Sequence, residues 1–471
     1  MASNIPIVQG VAVPSGGASA TPYSAAPSAG NADEGVREFN GVKGDPQPKK
    51  FNDVAFAILF WLHLAVMIVL LSMGTVQYQG NGSDYTGLAI CVVVCGAVAI
   101  GLATLALSFM YKFASAMVKV SLIFSVLSSA LIGVLGAMTG DVLLIVMGFA
   151  GFLIGICYAK LVWPRIPFAS ANLRTALTAV KQNMGLAVVA YFFCFVAFAW
   201  SVFWVVGLNS SMMTIGQGII FLYLVSFYWV HQVLVNTVHT TTAGTVGTWW
   251  FVPSEASSFC SSAVKDSFTR ATTYSFGSIC FGSLIVAIVQ ALRALQQQAQ
   301  NSDDCQILAC IIGCILACIQ GIIEYFNKFA FIYVGLYGYS FLDAGRNVIT
   351  LFQNKGWTTI ITDDLSDNVL WLMSIGIAIA SGLVGFVMGA ANQAMFSGIG
   401  YDQNGGTVGF IIGILVGYLF SSIMMAVVGS GVSTAIVCFA EAPAEFEANH
   451  PELSLEMRSA WQQAWPTEFG G

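Results

Sequence analysis

One carboxylate stands inside an apolar run that is long enough to lie in a bilayer. It is Glu324, in Ile319-Gln320-Gly321-Ile322-Ile323-Glu324-Tyr325-Phe326-Asn327. A charge at that depth is costly and needs a reason. Two readings stay open: the carboxylate reaches the interface and pairs with Lys328 at i+4, or it handles a cation or a proton. His231 and His239 are eight residues apart on roughly one helical face, with Asn236 between them. They either bond to neighbouring helices or take part in transport chemistry. Aromatic rings form a second lead: Trp61, Trp200, Trp204, Tyr228, Trp229, Trp249, Trp250, Tyr325, Tyr333 and Tyr337. A quaternary ammonium has no N–H to donate, so proteins bind it largely with ring faces. Interfacial belts and packing use the same residue types.

Other chemistries leave no trace. The chain has no hydrolase, kinase or zinc motif and no phosphate-binding loop, which argues against an enzyme or a pump fuelled within the chain. Its four His are scattered, and its 11 Cys include no CxxC pair. No cofactor, metal site or nucleic-acid surface is expected.

The elements that must hold these residues are membrane helices. Apolar residues make up 57% of the 471-residue chain and charged ones 8%, against roughly 25% charged in soluble domains. An all-α polytopic bundle of about ten transmembrane helices is expected. The spans lie near 54–76, 86–110, 115–138, 141–162, 185–207, 212–238, 271–296, 306–327, 368–391 and 407–438, each enough to cross a hydrocarbon core of ~30 Å.

Laid out alternately, these spans put every Lys and Arg except Arg293 on one side. Basic short loops stay in the cytosol, so both termini are expected there. Lys119, within a span, is expected to snorkel to the interface. Residues 1–50, rich in Gly, Ala, Ser and Pro, read as a disordered cytosolic tail; 51–438 form the membrane domain and 439–471 a cytosolic carboxy-terminal tail. Two sequons, at Asn81 and Asn209, fall in expected outside loops. Three inside connections are amphipathic: Pro167 to Asn183, Pro253 to Arg270 with Ser254 as N-cap, and Phe341 to Phe352. Glycines four apart (Gly151/Gly155, Gly385/Gly389, Gly409/Gly413/Gly417) mark close helix contacts.

Four ordered stretches resemble the choline transporter-like family. They are Trp229–His239 continuing into Ala243–Phe251; Gly277–Ile285; Glu324–Ile332 with Gly338–Phe341; and Val432–Ala440 with Glu441-Ala442-Pro443 and His450-Pro451-Glu452-Leu453. The departures, such as Ala442 where Asp is frequent and a short first outside loop, are those of a fungal- or protist-type member. The resemblance implies a plasma-membrane carrier for choline or a related organic amine cation, facilitative or proton-coupled. It makes Trp229, Trp249, Tyr325 and Glu324 the residues expected to bind substrate, with His231, Asn236, His239 and Asn327 as polar partners. Choline or a related amine, protons and the lipid bilayer are the expected partners. A lipid-handling or scramblase-like protein and a non-transporting scaffold are the rival readings.

Overall fold

The computed structural model describes residues 49–75, 86–215, 220–299, 306–355, 358–399 and 404–464. Every regular element among them is helical. In chain order these are α1 (Val54–Thr75), α2 (Thr86–Thr139), α3 (Val142–Val162), α4 (Ile166–Gln182), α5 (Gly185–Ile215), α6 (Ile220–Phe251) and α7 (Ser262–Thr272). Then follow α8 (Phe276–Ala299), α9 (Gln306–Tyr337), α10 (Phe341–Lys355), α11 (Thr358–Ala391), α12 (Gly405–Glu441), α13 (Pro443–Asn449) and α14 (Pro451–Ala464). Eight helical stretches in this set are long and apolar enough to cross a membrane, and Gly185–Ser201 of α5 adds a shorter one. The protein is an all-α polytopic membrane protein.

The expected second and third spans are the two arms of α2. Its 54 residues contain one non-helical position, Phe113, with φ −116° and ψ 24°. The Cys95 thiol donates to the Ser381 carbonyl at 3.6 Å, and the Phe124 ring lies 6.3 Å from that of Trp371. A straight helix would put Cys95 and Phe124 ~43 Å apart, whereas their partners on α11 are only ~15 Å apart. The helix therefore doubles back at Phe113. The following turn falls at Gly140–Asp141, as the sequence indicates: Gly140 has φ +73°. Asp141 caps α3 by accepting from the Leu143 and Leu144 amides at 2.9 and 3.2 Å.

Two groups of helices share cores. One core draws on α2, α4, α11 and α12, the other on α1, α6, α8, α9 and α10, and α5 borders both. Glycine sets the closest approach: a Cβ on Gly385 or Gly409 would overlap the other's backbone, so α11 and α12 touch main chain to main chain.

The segments that the charge pattern assigns to one side lie together at one end, called here the basic end. Asn52 donates to the Tyr274 carbonyl at 3.1 Å and to that of Gly338 at 2.7 Å. Asp53, with φ +52°, accepts from Ser278 Oγ at 2.6 Å and the Phe341 amide at 2.8 Å. Asn183 Nδ2 reaches the Ala256 carbonyl at 2.7 Å.

Some boundaries differ from the sequence reading. Hydropathy stops at polar residues, yet α6, α9, α11 and α12 run about one to four turns further at the basic end, where α6 and α12 meet α4 and α13, α11 meets α4, and α9 meets α10. The expected N-cap Ser254 lies in a 3-10 turn; Ser261 caps α7 instead, accepting from the Val264 amide at 3.3 Å while donating to Asn183 at 2.7 Å. Helix α5 continues through Ile215, so Asn209 lies on a helix and not in a loop. Residues 1–48 and Asn81 lie outside the described residues.

Candidate functional site

Amides one helical turn apart build the site. On α6, Gln232 and Asn236 share a face, as do Gln320 and Glu324 on α9. Between them α8 offers Ser283, Gln290 and Arg293. The resulting chain of hydrogen bonds points its donors at Glu324 from both directions. From one side Asn236 Nδ2 donates to Gln232 Oε1 at 3.4 Å and to Ser283 Oγ at 3.0 Å. Gln232 Nε2 donates to Gln290 Oε1 at 3.3 Å, and Gln290 Nε2 to Glu324 Oε1 at 2.9 Å. From the other side Arg293 donates to Gln320 Oε1 at 2.9 Å, and Gln320 Nε2 to the same Glu324 oxygen at 2.7 Å. Head-to-tail dipoles of this kind reinforce one another. The seam extends ~15 Å along α8.

Glu324 is exposed, and among the described residues no basic side chain lies within ion-pair distance of it. Lys328, one turn nearer the basic end on the same face of α9, bridges to Asp367 of α11 at 3.3 Å. That bridge crosses between the two helix groups. Two further ties cross beside it. His239 Nδ1 shares a hydrogen bond with Ser430 Oγ of α12 at 2.7 Å, and its Nε2 one with the Lys328 carbonyl at 2.8 Å. Glu441, at the end of α12, accepts from the hydroxyls of Tyr333 and of Tyr337, the latter at 2.6 Å. A carboxylate open on one side thus sits directly above a set of polar locks.

The structure brings Glu324 and Asn236 into one network, with Tyr325 beside it. Asn327 and His239 lie at its basic-end edge; Asn327 is buried and donates to the Gly282 carbonyl at 2.9 Å. The remaining expected residues lie elsewhere. Trp229 is buried against Phe60, ring centroids 5.2 Å apart, and donates to the Cys280 carbonyl at 3.0 Å. His231 turns to α5, sharing a hydrogen bond with Ser201 Oγ at 2.9 Å. Trp249 is fully buried, stacked on His450 at 3.9 Å and bonded to Gln182 at 2.6 Å. Residues not singled out from sequence include Gln232, Gln290 and Gln320. Their signal was available: polar side chains one helical turn apart within apolar runs, Gln232/Asn236, Gln290/Arg293 and Gln320/Glu324, one pair on each of three spans. Asp53, which ties α1, α8 and α10 together, carried no such signal because its partners are far away in sequence. At the same end, burial holds the His450 imidazole below its ordinary pKa, partly opposed by its hydrogen bond to the Trp249 carbonyl.

Comparison with known proteins bears on this arrangement. Residues 142–444 match the family described as plasma-membrane choline transporter. Protein PNS1 of Mycosarcoma maydis is 30% identical over 463 residues, covering 90% of this chain and 86% of that protein. A CTL-like protein of Dictyostelium discoideum is 29% identical over 466 residues, covering 93% and 79%.

Proposed function

The chain belongs to the choline transporter-like family, and from that membership we propose that it carries choline or a related organic amine cation across the plasma membrane, facilitatively or coupled to protons. The basic end is cytosolic in this reading, both termini lie there, and the chain crosses ten times, with α2 contributing two spans. The observation that carries the site assignment is Glu324: an exposed carboxylate, fed by converging amide donors, with no basic partner among the described residues. At reduced dielectric one anion offsets one monovalent cation far better than in water. A quaternary ammonium adds to this the faces of aromatic rings, for which Tyr325 is the neighbour at hand.

The remaining residues have derived roles. Gln232, Gln290, Gln320 and Asn236 fix the carboxylate and offer acceptors to a substrate hydroxyl. His239 and the Lys328–Asp367 bridge hold the two helix groups together on the cytosolic side of the site, and Asn327 ties α9 to α8 there. Releasing these ties while the opposite side closes is the alternating-access step. Trp229, His231 and Trp249 support the helices that bear the site.

Purified protein in liposomes tests the reading. Saturable uptake of labelled choline or a competing amine is expected, falling at least about tenfold in Glu324→Gln, the loss of about one charge-assisted contact, with reconstitution unchanged. Uptake by Glu324→Gln equal to that of the unaltered protein would remove Glu324 from the site. No saturable flux of any amine would remove the carrier reading altogether.

A further inference from the structure

A second site lies on the opposite flank, between the later arm of α2 and α3. These helices form a wedge. Toward the Gly140 turn they touch backbone to backbone, since a Cβ on Gly148 would overlap the main chain of Gly133. Further along α3 only side chains come that near: a Cβ on Gly151 would be in ordinary contact with Ser129 at 3.5 Å, and one on Gly155 would crowd the Val126 side chain at 3.3 Å without overlapping its backbone. Toward the basic end the helices part into an open groove of about 540 Å³. Its walls are Ile123, Val126, Leu127, Ile156 and Ala159, and its mouth carries Lys160 and Trp163. Lys119 stands one turn from Ile123 on the same face of α2. Both lysines are exposed, and among the described residues neither has an acidic partner.

We propose that this groove binds an anionic phospholipid of the cytosolic leaflet. The acyl chains fill the apolar wedge, the phosphate lies between the Lys119 and Lys160 ammonium groups, and the Trp163 ring sits at headgroup level. Charge selects the ligand: two uncompensated cations beside an apolar slot suit an anionic amphiphile, and each lysine near an anionic headgroup contributes several-fold in affinity. Position agrees, because the mouth is at the basic end, where anionic lipids are concentrated. The lipid also has a structural role. Helix α3 packs mainly against α2, and the groove leaves one side of its basic-end half, at Ile156 and Lys160, uncovered. The site is separate from Glu324, and its test involves no choline flux.

Native mass spectrometry of the purified full chain, titrated with phosphatidylglycerol or with phosphatidylcholine of matched chains, decides the matter. The unaltered protein is expected to retain phosphatidylglycerol at about tenfold lower concentration than phosphatidylcholine. Lys119→Ala/Lys160→Ala should erase that preference, and Lys119→Arg/Lys160→Arg should keep it. Ile156→Trp, which fills the groove, should lower retention of both lipids. Melting temperature and monodispersity report folding independently, and the exposed lysines are not needed for it. Equal retention of the two lipids by the unaltered protein overturns the proposal. So does an undiminished preference in the Lys119→Ala/Lys160→Ala variant.

Discussion

The α6–α8–α9 seam and the assembly at the basic end use similar residues to opposite purposes. Around Trp249 and Trp250, the two indole N–H groups, Asn449 and His450 all bond within the protein. Trp250 is stacked on Phe446 at 3.9 Å and 10° and donates to the Ala442 carbonyl at 3.0 Å. Asn449 donates to the carbonyls of Trp250 and Phe251, both at 2.9 Å, and Arg174 pairs with Glu456 at 2.6 Å. In the seam, by contrast, the amides converge on a carboxylate that is still exposed. A polar network whose groups are all satisfied within the protein rigidifies a fold. One that ends on an exposed anion leaves a place for a ligand. Both regions were candidates when aromatic and polar residues were read from sequence. The difference lies in what remains unfilled.

The largest test of that contrast is Trp250→Ala. It removes a fully buried ring and leaves the Ala442 carbonyl without its donor, at a cost of about 3–5 kcal/mol. A marked fall in melting temperature and in the yield of monodisperse protein is expected. Trp250→Phe, which keeps the stack on Phe446, should lose much less. If Trp250→Ala instead melted normally and lost only transport, the basic end would be a ligand site and the contrast would fail.

Next in size is Gln290→Leu, which breaks the seam at its centre. Glu324 then loses one amide donor, and Gln232 loses its acceptor. Uptake should drop about tenfold, the worth of one hydrogen bond to a charged acceptor. Melting should shift little, since the seam is only partly buried. A large loss of stability with normal uptake in surviving protein would make the seam a structural network like the other.

The legibility of these regions in sequence differed for physical reasons. Membrane helices, the Gly140–Asp141 turn and the three amphipathic connections were readable because periodicity and charge are local properties. The reversal at Phe113 was readable only as a boundary between apolar runs. Glu324 stood out as an isolated charge, and Asn236 and Tyr325 came with it. Whether Glu324 paired with Lys328 was not readable: Asp367, on another helix, takes that lysine. Trp249 looked like a ring free to meet a cation. It is occupied by His450, and that contact is fixed by the docking of α13 and α14, far along the chain.

The smallest effect separates the regions by pH. In the folded protein His450 favours its neutral form, because burial opposes charging. Its folded pKa is depressed, so its contribution to tail docking is complete above the unfolded value of about 6.5. That contribution is lost as pH falls toward the lowered folded value, because the undocked tail binds the proton more readily. Hydrogen exchange in residues 443–464, corrected for the intrinsic pH dependence of exchange, should therefore rise between pH 7.5 and 5.5. His450→Phe keeps a ring against Trp249 but cannot titrate, so its exchange should be flat over the same interval. Exchange at Gln290 and Gln320, which His450 does not touch, should not follow the tail. If it did, the two regions would be one cooperative unit, and the locks between the helix groups would already answer to the carboxy-terminal tail.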